Sequence, residues 1–272
     1  MSEIIAHHNP VGKTDYLSIQ HMERYRFAVS KLSPGMRVLD IACGAGYGTE
    51  LLRKHGCEVV GADNDSNVLK TARRIWSENC FIEADALKLP FDSASNDAVV
   101  SFETIEHVKP GQQFLSEMYR VLRPGGLFIC STPNIRYTAH PPFHINEYKP
   151  GEFYALVQQK FNSAELYGQY FKFSDRLGDF YRWHVENKIV SPLICGSISI
   201  LEKIGIKETV KNILLQCKVI DHPVRMGQQN NTTLEQDNFL DGKIIEPYRV
   251  KPYTGNRFLR IMIILAEKDR NL

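Results

Sequence analysis

The sequence predicts a doubly wound α/β fold built on a mostly parallel sheet, and three observations carry that prediction. From Met36 onward, short apolar runs alternate with stretches of helical periodicity, the pattern of strands joined by crossover helices. The first run, MRVLDIA, breaks into the glycine-rich turn CGAGYG before a helix, as strands do where bare backbone must approach a ligand. The 272 residues, 43% of them hydrophobic, suffice for one large domain with a full core, or for one domain carrying an insertion.

Residues 1–33 are polar and read as a leading segment, with a helix over 16–30 that presents Leu17, Met22, Tyr25 and Val29 before Ser33-Pro34-Gly35 stops it. The core follows over 34–173. Its first strand, MRVLDIA, leads into a helix over 46–55. The second strand, CEVVGAD, is followed by a helix that Asp65 or Ser66 caps and that turns Val68, Leu69, Ala72 and Ile75 to one face. CFIEAD is the third strand, LKLPFDSASN a loop and DAVVSF the fourth strand. Pro110 suits the first turn of a helix whose stripe is Phe114, Leu115, Met118 and Leu122, ended by Arg123-Pro124-Gly125-Gly126. LFICST is the fifth strand. A helix over 149–160 and strands over 164–171 and 258–266 complete the core, the last of these opening a closing segment, 258–272. The stretch 174–257 is too long for a plain connection and reads as an inserted, partly helical lid or a small separate domain.

Composition narrows the function classes. Formal net charge is +2, far from the basicity of a phosphate-tracking surface, so nucleic acid is not the expected partner. The 6 cysteines show no CxxC spacing and read as reduced core residues. No run is long enough for a signal peptide or a membrane span, and the expected location is the cytoplasm.

The glycine turn has the spacing G-x-G-x-G, with Thr49 next, whereas a dinucleotide site asks for G-x-G-x-x-G. Asp40 also places a carboxylate at the strand end, beside the helix N-terminus that would receive a pyrophosphate. That charge repels phosphate and suits an ammonium group. An amino-acid-bearing nucleoside therefore fits better than NAD. Asp63, closing the second strand, lies at a spacing that suits ribose hydroxyls, and Asp85, followed by Ala86, closes the third strand where it can accept from an adenine amino group.

Over roughly 24–171 the sequence resembles the class I S-adenosylmethionine-dependent methyltransferases, on the motifs VLDIACGAGYGT, VVGADND, ADALKLPFDSASNDAVVSFETIEHV and YRVLRPGGLFICSTPN. The resemblance implies a seven-stranded sheet of order 3-2-1-4-5-7-6 with the last strand antiparallel, and S-adenosylmethionine as cofactor. It also implies that Asp40, Gly44 and Gly46 line the methionine end, Asp63 and Asn64 the ribose, and Asp85 and Ala86 the adenine. Ala42 and Phe102 complete the cofactor set. Family members usually carry an apolar residue where Asn64 stands.

Glu103, Glu106 and His107 follow the fourth strand, at the sheet edge where open α/β folds bind ligands. If SFETIEHV turns helical, the spacing i, i+3, i+4 puts all three on one face. His144, in the loop HPPFHINEY after the fifth strand, must pass over the same edge. Glu103, Glu106, His107 and His144 together would make a mixed oxygen and nitrogen set for a divalent ion. The pattern resembles that of the ubiquinone-pathway O-methyltransferases and the small-RNA 3′-end 2′-O-methyltransferases, which hold a metal this way. A metal-free site with His107 as base, assisted by Glu103 and His144, and a purely structural cluster are the other two readings. A hydroxyl acceptor must lose a proton, which a base or a metal promotes, so the cluster favours O-methylation over N-methylation.

The acceptor is drawn from a further resemblance. ERYRFA, SFETIEHV, STPN and FHINEYKPGEF are similar to a bacterial group of methyltransferases associated with surface-polysaccharide and sugar modification, which implies a sugar, nucleotide-sugar or glycan hydroxyl as substrate. Tyr181, Trp183, His184, His222, Arg225 and Tyr253 of the lid stretch are able to stack on a sugar and hydrogen-bond it. An RNA or quinol-type O-methyltransferase and a non-catalytic cofactor-binding module are the alternatives. The apolar stretch KIVSPLICGSISILEKIGIKETVKNILL suits helix packing or self-association as a homo-oligomer.

Overall fold

Alternation of side chains along the central strands decides the architecture. The computed structural model describes residues 16–76, 78–137, 142–170, 250–253 and 259–270. In β1 (Arg37–Ile41), Val38 points to one side of the sheet, and Leu39 and Ile41 to the other. β4 (Asn96–Phe102) divides Ala98 and Val100 from Val99, and β5 (Leu122–Pro133) divides Ile129 from Phe128 and Cys130. Strands apolar on both faces need a helical layer on each side.

One layer is α1 (Tyr16–Val29) and α2 (Tyr47–Lys54), which bury Met22, Tyr25, Ala28, Leu51 and Leu52 against the Val38 side. The opposite layer is α4 (Gly111–Val121) and α5 (Pro150–Gln158), whose Phe114, Leu115, Met118, Phe153 and Val157 meet Leu39, Val99 and Phe128. Each such fully buried side chain contributes about 1.5–3 kcal/mol from burial alone.

Between these lie β2 (Glu58–Asp63), α3 (Ser66–Ile75) and β3 (Phe81–Glu83). Asp65 caps α3, its side chain accepting from Asn67 N at 2.8 Å, as expected from the sequence. β6 (Ser163–Tyr170), β7 (Lys251–Pro252) and β8 (Leu259–Glu267) finish the sheet. The order is β3-β2-β1-β4-β5-β8-β6-β7, with β1 to β5 parallel and β8 antiparallel to both β5 and β6. Seven strands follow the order the family resemblance implies, with β8 as the inserted antiparallel strand. The eighth, β7, is a two-residue addition at the edge, where Pro252 is tolerated because, among the described residues, no further strand needs its missing N–H.

Three local expectations are corrected. Leu122 does not extend the stripe of α4: it pairs with Asn96 as the first residue of β5, and the Arg-Pro-Gly-Gly segment lies inside that strand across a register shift. The third strand is only Phe81–Glu83. The segment SFETIEHV does not become a helix; after Ser101 and Phe102 it forms turns. Of the inserted stretch 174–257, residues 174–249 and 254–257 lie outside the described residues, while Val250 packs in the core and Lys251–Pro252 belongs to the sheet. Cys43, Cys57 and Cys130 are buried free thiols, and Cys80 is half-buried; Cys195 and Cys217 lie outside the described residues. Among the described residues, no helix is long and apolar enough to cross a membrane.

The glycine turn owes its course to packing as much as to ligand access. A Cβ at Gly48 would overlap the ring of Tyr25. Gly48→Ala is therefore expected to destabilise the protein by about 1–3 kcal/mol through overpacking; equilibrium denaturation in urea, with an unchanged midpoint, would contradict this packing.

Candidate functional site

The order of strands reverses its direction of growth between β1 and β4, and a cavity of about 800 Å³ opens over the carboxyl ends of β1 to β4, the place where open α/β sheets bind ligands. The chain is forced apart there. The residue after β1, Ala42, and the residue after β4, Glu103, both adopt left-handed backbone conformations, with φ of 57° and 53°. Such conformations cost about 1–2 kcal/mol each in non-glycine residues and concentrate at functional sites.

Ala42, Gly44, Asp63, Asn64, Asp85, Ala86 and Phe102 all line the cavity. Asp63 ties the turn to β2: its Oδ2 accepts from Gly44 N at 2.9 Å and its Oδ1 from Asp65 N at 3.0 Å. Asp85 accepts from Leu87 N at 2.8 Å, which fixes its carboxylate at the tip of β3. Gly44, with a φ of 53°, has nothing within 4 Å of where a Cβ would stand, so its backbone faces open space.

Two expected cofactor residues stand apart. Asp40 is fully buried and does not line the cavity. On β1 it shares a side with Val38, and there it accepts from Tyr25 Oη at 3.1 Å and Thr49 Oγ1 at 2.7 Å. It braces α1 and α2 from beneath the turn. Gly46 does not line the cavity either; a Cβ on it would strike Phe81 and Trp76. Conversely, His21, Tyr25 and Tyr47 line the cavity and were not expected there. The N-terminal helix gave no site signal, because only the partly apolar face containing Tyr25 was legible.

At the far end of the cavity lie Glu103, Glu106, His107 and His144. Glu106, His107 and His144 each offer a ligand atom, all within 4.8 Å of one another. Glu103 is not in that group; its Oε1 accepts from Ser131 Oγ at 3.0 Å. With no helix, proximity comes instead from the loop after β5, where Ile145 N and Asn146 N donate to Glu106 O at 2.8 and 3.0 Å, and Asn146 Nδ2 donates to Val108 O at 2.6 Å. His107 Nδ1 lies 3.0 Å from Phe143 O, so Nδ1 carries the proton and donates it. Its Nε2 lone pair then faces Glu106 Oε1, 3.9 Å away. Glu106 Oε2 accepts from Thr132 Oγ1 at 3.0 Å, while Oε1 is buried with no hydrogen-bond partner. His144 Nδ1 is likewise buried and lies 3.5 Å from Glu147 Oε1, too long for a good hydrogen bond.

Comparison with known proteins agrees with this fold. The family described as "Methyltransferase domain" matches residues 39–130. Residues 39–130 therefore carry a methyltransferase domain. A probable S-adenosylmethionine-dependent methyltransferase of Mycolicibacterium smegmatis is 38% identical over 131 residues, 46% of this chain and 51% of that protein. A ubiquinone biosynthesis O-methyltransferase of Dinoroseobacter shibae is 35% identical over 46% of this chain and 53% of its own. The chain thus spans about half the length of the curated relatives it matches. A solved methyltransferase from Thermotoga maritima shares the fold, with a TM-score of 0.54 at 15% identity over 93% of each chain.

Burial dominates the electrostatics of the methyltransferase domain's site. It pushes Asp63 up, against the N–H groups of Asp65 and Gly44. It pushes Glu106 well above the usual carboxylate range, helped by the charge of Glu103 and opposed by Thr132 and Arg24. His144 is pulled down by burial and then by His107.

Asp40 is raised from 3.8 to about 7, by burial first, with Thr49 and Tyr25 opposing. Its folded value lies above its unfolded one, so its favourable contribution is complete below pH about 4 and is lost as pH rises toward 7. Asp40→Asn is expected to gain stability relative to the parent across that window, by up to a few kcal/mol. Denaturation series at pH 4 to 8 that run parallel for the two proteins would contradict this assignment.

Proposed function

We propose that the protein transfers the methyl group of S-adenosylmethionine to a hydroxyl oxygen. The observation that supports this best is the set Glu106, His107 and His144, held by two loops around two buried, unsatisfied polar atoms at the end of the cofactor cleft. An amine acceptor needs less of this help. Asp63 and Asn64 are assigned to the ribose of the cofactor and Asp85 and Ala86 to its adenine, with Ala42, Gly44 and Phe102 along its length. The bound cofactor supplies a methyl group already activated on a sulfonium, so the protein's work is orientation and removal of the acceptor's proton.

His107 is the better base of the two imidazoles. Its Nδ1–H is committed to Phe143 O, which leaves Nε2 to take a proton from an acceptor hydroxyl held in the cleft. The same atoms fit a divalent ion: a carboxylate oxygen and an imidazole nitrogen that are buried without a hydrogen bond, and a second imidazole oriented by a backbone carbonyl, the usual support of a ligating histidine. Glu106, His107 and His144 would hold the ion, and when bound it would lower the acceptor's pKa.

The sequence motifs support a sugar hydroxyl as acceptor. A second reading, a phenolic hydroxyl of quinol type, is favoured by the similarity to the D. shibae protein.

Turnover assays over nucleotide sugars, oligosaccharides and quinols, with and without chelator, test the proposal. A hydroxyl acceptor is expected to be methylated, and Glu106→Gln or His144→Ala to lower kcat by about a hundredfold or more. N-methylation alone, or unchanged turnover in both variants, would refute it. Asp63→Ala is expected to weaken binding of S-adenosylhomocysteine at least about tenfold; parental affinity would remove Asp63 from the ribose.

A further inference from the structure

The chain between β3 and β4 is short of backbone partners. β3 ends at Glu83 and Ala84 N still donates to Asp63 O at 3.0 Å, but among the described residues no strand runs beside the segment 86–93. Leu87, Leu89 and Phe91 nevertheless alternate into the core, with Leu89 buried there. A backbone buried in this way needs a donor and an acceptor to replace the missing ladder. Side chains of α4 supply both. Glu117 Oε2 accepts from Leu89 N at 3.0 Å, while Arg120 Nη2 donates to Leu89 O at 3.0 Å and its Nη1 to Phe91 O at 2.7 Å. One pair of side chains thus takes both polar groups of Leu89, as a neighbouring strand would. A turn earlier on the same helix, Gln113 Nε2 donates to Leu87 O at 3.1 Å.

Glu117 and Arg120 are also fixed to each other, Arg120 Nε donating to Glu117 Oε1 and Nη2 to Oε2, each at 2.9 Å. This fork leaves neither side chain free to turn. The hydrogen bonds from Arg120 hold the Glu117 carboxyl below its usual range, so the pair stays ionised at neutral pH. A half-exposed ion pair adds little stability; its effect here is on geometry. The main chain of Arg120 closes the far end of the segment, its carbonyl accepting from Ala94 N at 2.9 Å.

At the near end of the segment stands Asp85. It lines the cavity, and no residue of α4 does. Its Oδ1 accepts from Leu87 N at 2.8 Å and its backbone carbonyl from Lys88 N at 3.0 Å, which leaves Oδ2 to a ligand. The direction of that carboxylate therefore passes through Leu87 and Leu89 to a helix outside the cleft. We infer that Glu117 and Arg120, with Gln113, are positioning residues that aim Asp85 at the exocyclic amino group of a purine, and so make the cleft prefer an aminopurine to an oxopurine. This rests on the reading that Asp85 meets the adenine of the cofactor.

The test compares two ligands by calorimetry: S-adenosylhomocysteine, and S-inosylhomocysteine, in which a carbonyl oxygen replaces the amino group. The parent is expected to prefer the first about tenfold or more, and Asp85→Ala to lose most of that preference. Glu117→Gln and Arg120→Gln are each expected to cut the preference at least about threefold, with S-inosylhomocysteine staying within about twofold of the parent. Gln113→Ala, a change at an exposed side chain, is expected to cut it about twofold. In the Asp85→Ala background Glu117→Gln is expected to leave the ratio as it stands, because the two act as one unit. A parental preference in the Glu117, Arg120 and Gln113 variants, equal losses on both ligands, or a further fall in the Asp85→Ala background would overturn the positioning role. A parent that binds the two ligands equally would instead remove Asp85 from the adenine, and one that binds neither would overturn the cofactor reading itself.

Discussion

The site depends on the parting of two neighbouring strands. β1 and β4 are hydrogen-bonded in parallel register from Val38 and Ala98 to Ile41 and Ser101, and beyond that point the chains turn away to opposite sides. A parallel sheet must part in this way where its crossovers change direction. Here the parting is enforced by backbone geometry, since Ala42 and Glu103 both take left-handed conformations. The interior network beneath it holds the opening in shape: Tyr25 from α1 and Thr49 from α2 converge on Asp40. Gly61 helps make the room, because a Cβ there would press on Thr49 Oγ1. A buried carboxylate is costly, and this one is retained where it joins two helices to the strand that carries the turn.

The same logic separates the cleft into two chemical ends. Toward the strand tips, carboxylates are engaged by backbone N–H groups, as Asp63 is by Gly44 and Asp65 and Asp85 is by Leu87. Those contacts orient the side chains. Toward the loop after β5, buried polar atoms are left unmatched on Glu106 and His144. Unsatisfied buried groups are rare because each costs about 1–3 kcal/mol. Their collection at one point, beside an imidazole whose tautomer is already chosen, marks the end of the cleft where a ligand or ion completes the structure.

Most of the fold was legible in the sequence because parallel strands buried on both faces leave continuous apolar runs, such as MRVLDIA and DAVVSF, separated by helical periodicity. Side-chain direction was the weak point. Asp40 was placed in the cleft from its position at a strand end; alternation with Val38 puts it on the face that α1 and α2 cover, and Tyr25 and Thr49 meet it there. The limit of α4 was invisible, because Leu122 is claimed by pairing with Asn96, a contact between residues far apart in sequence. Likewise a helix over SFETIEHV would have put Glu103, Glu106 and His107 on one face, with His144 carried over by its loop; instead Glu106, His107 and His144 converge through loop hydrogen bonds to Glu106 O and Val108 O. His21 carried no local signal, since what brings it to the cleft is the docking of α1 on the sheet.

The most direct measurement is a crystal structure of the protein grown with S-adenosylhomocysteine. The account predicts the adenosine lying across the ends of β1, β2 and β3, between Asp63 and Asp85, with the thioether sulfur turned toward Glu106 and His107. Density for the ligand elsewhere on the molecule, or a nicotinamide dinucleotide in the cleft at Gly44, would contradict it.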